Sequence, residues 1–158
     1  MECFQVVESG EGIEGAILRG LAARGSLTGQ CSDRHPALVV VSPRAVLEGK
    51  RLPQACRTVL LPGNGGDLLK DLRAASAVSY GPSPRDSLTI SSREEERMWA
   101  TLQREVVTLE GRVVERQEFA IPLVRRGEEM PALATAGALL LLGVPPEEIG
   151  SRDIWQTD

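Results

Sequence analysis

The residues best placed to do chemistry in this chain lie in glycine-rich stretches. The first, Ser9-Gly10-Glu11-Gly12-Ile13-Glu14, follows the apolar run 3–8 and leads into Ile13, Ile17, Leu18 and Leu21 at helical spacing, a pattern that Gly25 stops. A strand, a bend and a helix in that order form the plan of a phosphate-gripping loop. In such loops backbone N–H groups cradle the anion, a Lys neutralises it, and a Ser or Thr holds magnesium. Here Ile13 and Glu14 stand where those side chains would be. Glu8, Glu11 and Glu14 also bring three carboxylates to the place of a polyphosphate, and two like charges at about 4 Å repel by about 4 kcal/mol at an effective dielectric of about 20. A helix N-terminus returns only about half a charge. ATP is therefore not expected here. The stretch is either a tight turn that Gly10 and Gly12 make possible, or a residual anion or ligand site with Ser9, Gly10 and Gly12 as its binding residues.

A second stretch, "PGNGGD" at 62–67, follows an apolar run that reads as a parallel strand, and ligands of open α/β sheets collect at the carboxyl ends of strands. Asn64 and Asp67 are its ligand-binding candidates, although Asp67 also suits the N-cap of a helix over 67–75. Cys31 and His35 have the residue types of a nucleophile and its base, but "CSDRH" is loop-like and no oxyanion-binding loop accompanies it. No catalytic residue is assigned. His35 is the only histidine and no C-x-x-C spacing occurs, so no metal site is expected and no cofactor either. "REEER" at 93–97 reads as a solvated turn, and Trp99 and Trp155 as packing or contact residues.

With 158 residues the chain fits one domain with its own core, built from aliphatic side chains because only 3% of residues are aromatic. That scarcity leaves no stacking platform for single-stranded nucleic acid, and a net charge of −4 offers no general attraction to phosphate backbones or anionic lipid. Nucleic-acid and membrane partners are not expected. The longest apolar run, 133–144, is too short to cross a bilayer, and the first residues lack the pattern of a secretion signal. Three cysteines, an odd number, favour reduced thiols and a cytoplasmic location.

The elements that must position these residues follow from periodicity. Continuous apolar runs at 36–43, 57–63 and 76–81 predict neighbouring buried strands of a parallel sheet. From residue 87 the runs alternate, which predicts an antiparallel extension over 87–122 with a turn at Glu110-Gly111. Its segment "EVVTLEGRVVE" is a candidate open edge, and an open edge invites a homodimer or another protein partner. A helix at about 129–142 ends at Gly143, and Pro146 opens a short last one. The expectation is a single α/β domain over 1–158: a strand-helix half (1–81), antiparallel strands (87–122) and a C-terminal helical part (129–150), in three layers.

Two stretches in this order carry a family resemblance: "TVLLPGNGGDLLKDLRAASAVSYG" at 58–81 and "LATAGALLLLGVPPEEI" at 133–149. Together they resemble the central, ATP-binding domain of the Mur ligases, the amide-forming enzymes of bacterial peptidoglycan synthesis, and of their folylpolyglutamate synthetase relatives. The resemblance implies a three-layer domain of parallel strands with an antiparallel extension, in a bacterial protein. The departures bear on chemistry. The family loop reads roughly G-T-N-G-K-T-T, and its "H-N-x-x-N-A" before the Ala-rich helix falls where this chain has "GEEMP" at 127–131. The family's long metal-positioning segment is shortened to a loop, and a C-terminal ligase domain is not expected. The resemblance thus implies a degenerate, shortened relative without a working phosphate loop. Two functions follow as expectations. One is a non-catalytic binding, assembly or regulatory module; the alternative is a small enzyme or metabolite-binding protein that uses the Gly-rich loops for another ligand. A pocket built from residues 9–15, 42–44 and 62–67 would favour the second.

Overall fold

The computed structural model describes residues 3–25, 29–30 and 36–155. In chain order the elements are β1 (Cys3–Val7), α1 (Ile13–Ala23), β2 (Gly29–Gln30), β3 (Leu38–Val41), α2 (Pro43–Glu48), β4 (Ala55–Pro62), a 3-10 helix (Gly63–Lys70), β5 (Arg73–Gly81), β6 (Leu88–Arg93), β7 (Arg97–Leu102), β8 (Val106–Val107), β9 (Val113–Val114), β10 (Gln117–Pro122), α3 (Glu129–Leu141), α4 (Pro146–Ile149) and α5 (Arg152–Trp155). Among the described residues, eight strands make one mixed sheet in the order β10-β7-β6-β5-β4-β3-β1-β2, and β8 and β9 form a separate hairpin.

The apolar runs become β3, β4 and β5, which are parallel neighbours as expected. All four residues of β3 are buried, because helices cover both faces of this half of the sheet. On one face Ile13, Ile17 and Leu21 of α1 pack with Leu133, Ala136 and Leu140 of α3. Gly20 lets the layers close, since a Cβ there would sit 3.2 Å from Leu139 and 3.1 Å from Ile154. On the other face Ala45 of α2 joins Val39, Val59, Leu61 and Leu72. Leu18, assigned to the helical apolar series, turns to solvent.

The helix expected over 67–75 is corrected. The segment after β4 is the 3-10 helix Gly63–Lys70, its N-cap position is Pro62, Asp67 lies inside it, and β5 already begins at Arg73. The register gives the reason: β5 pairs with β4 from Ala55↔Arg73 to Pro62↔Tyr80, so a ten-residue link must return along the whole of β4. Eight residues rise about 16 Å as a 3-10 helix and only about 12 Å as an α-helix.

At β6 the sheet changes character. β5 and β6 share only two parallel pairs, after which β6, β7 and β10 run antiparallel, with a bulge between Ile90 and Ser92. Asp86 closes the short β5–β6 link, buried against Gly63 and Gly81 and accepting the Ser83 N–H at 3.2 Å. The turn at Glu110-Gly111 joins β8 and β9, where Gly111 has φ 89°. The hairpin is tied to the body through the Leu109 N–H, which donates to the Leu141 carbonyl at 2.9 Å, and through the Arg57 guanidinium, which donates to the Leu109 carbonyl at 2.7 Å. The edge expected in "EVVTLEGRVVE" therefore belongs to this ribbon, and β10 borders the main sheet.

Cys3 is disulfide-bonded and Cys56 is free, so the expectation of three reduced thiols fails. The step from cysteine count to a cytoplasmic location loses its premise with it. Among the described residues no helix is long and apolar enough to cross a membrane.

Candidate functional site

The loop between β1 and α1 has the geometry of an anion cradle, and the chain fills it with its own carboxylates. Gly10 (φ 73°) and Gly12 (φ 77°) take left-handed backbone that a side chain would strain, and this aims the first N–H groups of α1 back at the end of β1. The Glu8 carboxylate meets them there. Its two oxygens accept the Ile13 N–H and the Glu14 N–H, each at 2.9 Å. Gly12 at the N-cap offers no side chain, so Glu8 does the capping from outside the helix.

Glu11 repeats the arrangement toward the neighbouring helix. Its carboxylate accepts the Ser9 N–H at 3.2 Å and the Arg44 N–H in the first turn of α2 at 3.2 Å, while Ser42 caps α2 through the Ala45 N–H at 3.0 Å. The Ser9 hydroxyl donates to Glu48 at 3.0 Å and the Lys50 ammonium to the Glu8 carbonyl at 2.8 Å. The Ser9, Ile13 and Glu14 N–H groups, which a phosphate in this loop would need, are thus already bonded. Below the loop, the buried Tyr80 hydroxyl donates to the Val41 carbonyl at 2.6 Å; burial, and after it the charge of Glu11, push its phenol well above the ordinary range.

Of the sequence-assigned ligand residues, Ser9, Gly10 and Gly12 therefore sit together in a self-bonded loop. Asn64 is exposed at the start of the 3-10 helix, at the same end of the parallel strands, and Asp67 is exposed further along it, where the link runs back beside β4. No hydrogen bond joins them to the Ser9–Gly12 loop among the described residues. Cys31 and His35 lie outside the described residues. Among the described residues no group of three His, Cys, Asp or Glu side chains could hold a metal ion.

A cleft of about 700 Å³ opens on the other side of the loop. One wall is α1 with α5, presenting Ile13, Ala16, Arg19, Arg152 and Trp155; the start of α3 is the floor, with Pro131, Ala132 and Thr135. The opposite wall joins Glu95 and Glu96 of the β6–β7 turn to Leu123, Val124 and Arg125 after β10. Arg93 holds that wall from behind: its guanidinium donates to the Val124 carbonyl at 2.6 Å and to the Glu94 and Arg97 carbonyls at 3.0 Å. Glu94 pairs with Arg97 at 2.7 Å and accepts the Trp99 indole N–H at 3.0 Å, and these two bonds hold its carboxyl below the usual carboxylate range. The solvated-turn reading of "REEER" covers Glu94 and Arg97, whereas Glu95 and Glu96 face the cleft. Trp155 is half-buried, its indole donating to the Ile149 carbonyl at 2.7 Å.

Sequence reasoning missed this cleft because its lining comes from segments scattered between residues 11 and 155. No family model and no curated protein matches the chain.

Proposed function

We propose that the chain is a degenerate, Mur-ligase-like domain of bacterial type that serves as a non-catalytic binding, assembly or regulatory module. The mixed, mostly parallel sheet with an antiparallel extension supports the comparison at the level of architecture. The observation that carries the reading is the Glu8 carboxylate on the first two N–H groups of α1. A covalently attached anion at effectively fixed concentration outcompetes a dissolved phosphate, and displacing it strands a carboxylate beside the incoming charge.

A second reading, a small metabolite-binding protein, is favoured by the cleft, whose volume falls in the ordinary range of ligand sites, about 300–1,000 Å³. Of the stretches expected to build a pocket it takes Glu11, Gly12 and Ile13, and nothing from 42–44 or 62–67.

Mg-ATP separates a working phosphate loop from this one. A ligand at about 100 times its dissociation constant adds about 2.7 kcal/mol, and each kcal/mol raises the melting temperature of a chain this size by roughly 2–4 °C. The expected shift with millimolar Mg-ATP is under about 1 °C on that scale. A larger, reproducible shift that is lost on replacing Gly12 with a bulky residue refutes the reading.

A further inference from the structure

We infer that the two walls of the cleft form a self-association surface and that a second copy of this chain docks on them, wall against wall. The inference builds on the reading of an assembly module. Its first support is the distribution of charge. The wall of α1 and α5 presents the guanidiniums of Arg19 and Arg152 against the single carboxylate of Glu11, which is turned to the Ser9 and Arg44 N–H groups and leaves the wall net positive. The opposite wall presents the carboxylates of Glu95, Glu96 and Glu128 against the single guanidinium of Arg125. Among the described residues, none of Arg19, Arg152, Glu95 and Glu96 forms an ion pair.

A groove with one positive and one negative wall is its own complement. A two-fold axis running along the groove carries each wall onto the opposite wall of the other copy, so guanidiniums face carboxylates twice. A polyanion or a polycation would meet one repulsive wall wherever it lay.

The second support is Leu123. It lines the negative wall with its side chain 38% exposed and has φ 60°, among described residues other than glycine the one at positive φ. A residue with a Cβ holds that conformation only at a cost. In an isolated molecule the cost presents an apolar side chain to water; across the two-fold axis, Leu123 faces the other copy's α1 wall, where Ala16 is partly exposed.

Sedimentation equilibrium at about 0.02 M and about 0.5 M salt, where the screening length falls from about 20 Å to about 4 Å, tests the inference. The expected result is a reversible dimer, with a dissociation constant on the order of tens of micromolar at low salt as for a small, charge-rich interface. High salt weakens it at least about ten-fold. The exposed pair Arg19→Glu and Arg152→Glu, made together, gives a monomer, and so does the pair Glu95→Arg and Glu96→Arg. Mixed in equal amounts, the two variants form a heterodimer, because each wall again meets its opposite. A wild-type chain that stays monomeric to about 1 mM, far above that dissociation constant, overturns the inference. So does a dimer that ignores both variant pairs, or a mixture that stays monomeric. Nucleotide binding at the α1 loop would refute the proposed function and leave this result unchanged, and the reverse also holds.

Discussion

Replacing Glu8 with Ala removes the cap of α1 without touching the core. Two N–H groups, those of Ile13 and Glu14, lose a charged acceptor at 2.9 Å. Loss of a capping side chain costs about 0.5–2 kcal/mol, and the lost carboxylate beside the positive end of the helix adds about 0.3–1 kcal/mol. Water reaches the loop and recovers part of this, so the expected loss is about 2 kcal/mol, or about 4–8 °C in melting temperature for a chain of this length. Glu8→Gln keeps one acceptor oxygen and should fall about halfway between, with a loss of about 1 kcal/mol. The vacated N–H groups then have no intramolecular anion. Sulfate at about 50 mM should therefore raise the melting temperature of Glu8→Ala more than that of the wild type, by about 2 °C or more, as expected of a helix N-terminus open to an anion. The assay is thermal unfolding followed by circular dichroism, with and without sulfate and at matched ionic strength. A Glu8→Ala melting temperature within about 1 °C of wild type, or equal sulfate responses in the two proteins, refutes the claim that Glu8 occupies the cradle.

Gly63→Ala places a Cβ against the buried Asp86 carboxylate, where it would overlap a carboxylate oxygen. Overpacking of that kind costs about 1–3 kcal/mol. Urea unfolding should show this loss, and Asp86→Ala in the same chain should recover much of it; additive losses would mean the two do not meet. Cys56 is buried, and burial raises its thiol from 9.0 to about 11. Iodoacetamide should label it slowly in the native chain at pH 8 and fast in urea, as mass spectrometry would read; equal rates contradict the burial. The same shift carries a sign. The neutral thiol's contribution to stability is fully present below pH 9.0 and is lost as the pH rises from 9.0 to about 11, because the unfolded thiol ionises first. Stability measured in urea should decline across that window, and Cys56→Ala should lessen the decline.

The sequence by itself determined the parallel half of the sheet, because a strand covered on both faces must be apolar throughout. "PALVVVSP" and "RTVLLPG" are legible for that reason, and they became β3 and β4. It also determined the change to alternation after residue 87 and the turn at Glu110-Gly111, since local periodicity and turn chemistry act within a few residues. The absence of Lys and Ser or Thr from the first loop was equally plain. What fills that loop was not. Glu8 reads as one more charge in the way of phosphate, and only the left-handed turns at Gly10 and Gly12 bring its carboxylate onto the N–H groups five and six residues later. The helix over 67–75 failed because its residues have helical pattern while the length that the link must cover is set by the register of β4 and β5, a property of two strands at once. Opposite charges on the two cleft walls belong to the same class: Arg19 and Arg152 on one side, and Glu95 and Glu96 on the other, meet only when α1, α5 and the β6–β7 turn pack around α3. Local patterns fix what a segment forms; distances between segments come from the packing of all of them, and the cradle and the cleft are both made of such distances.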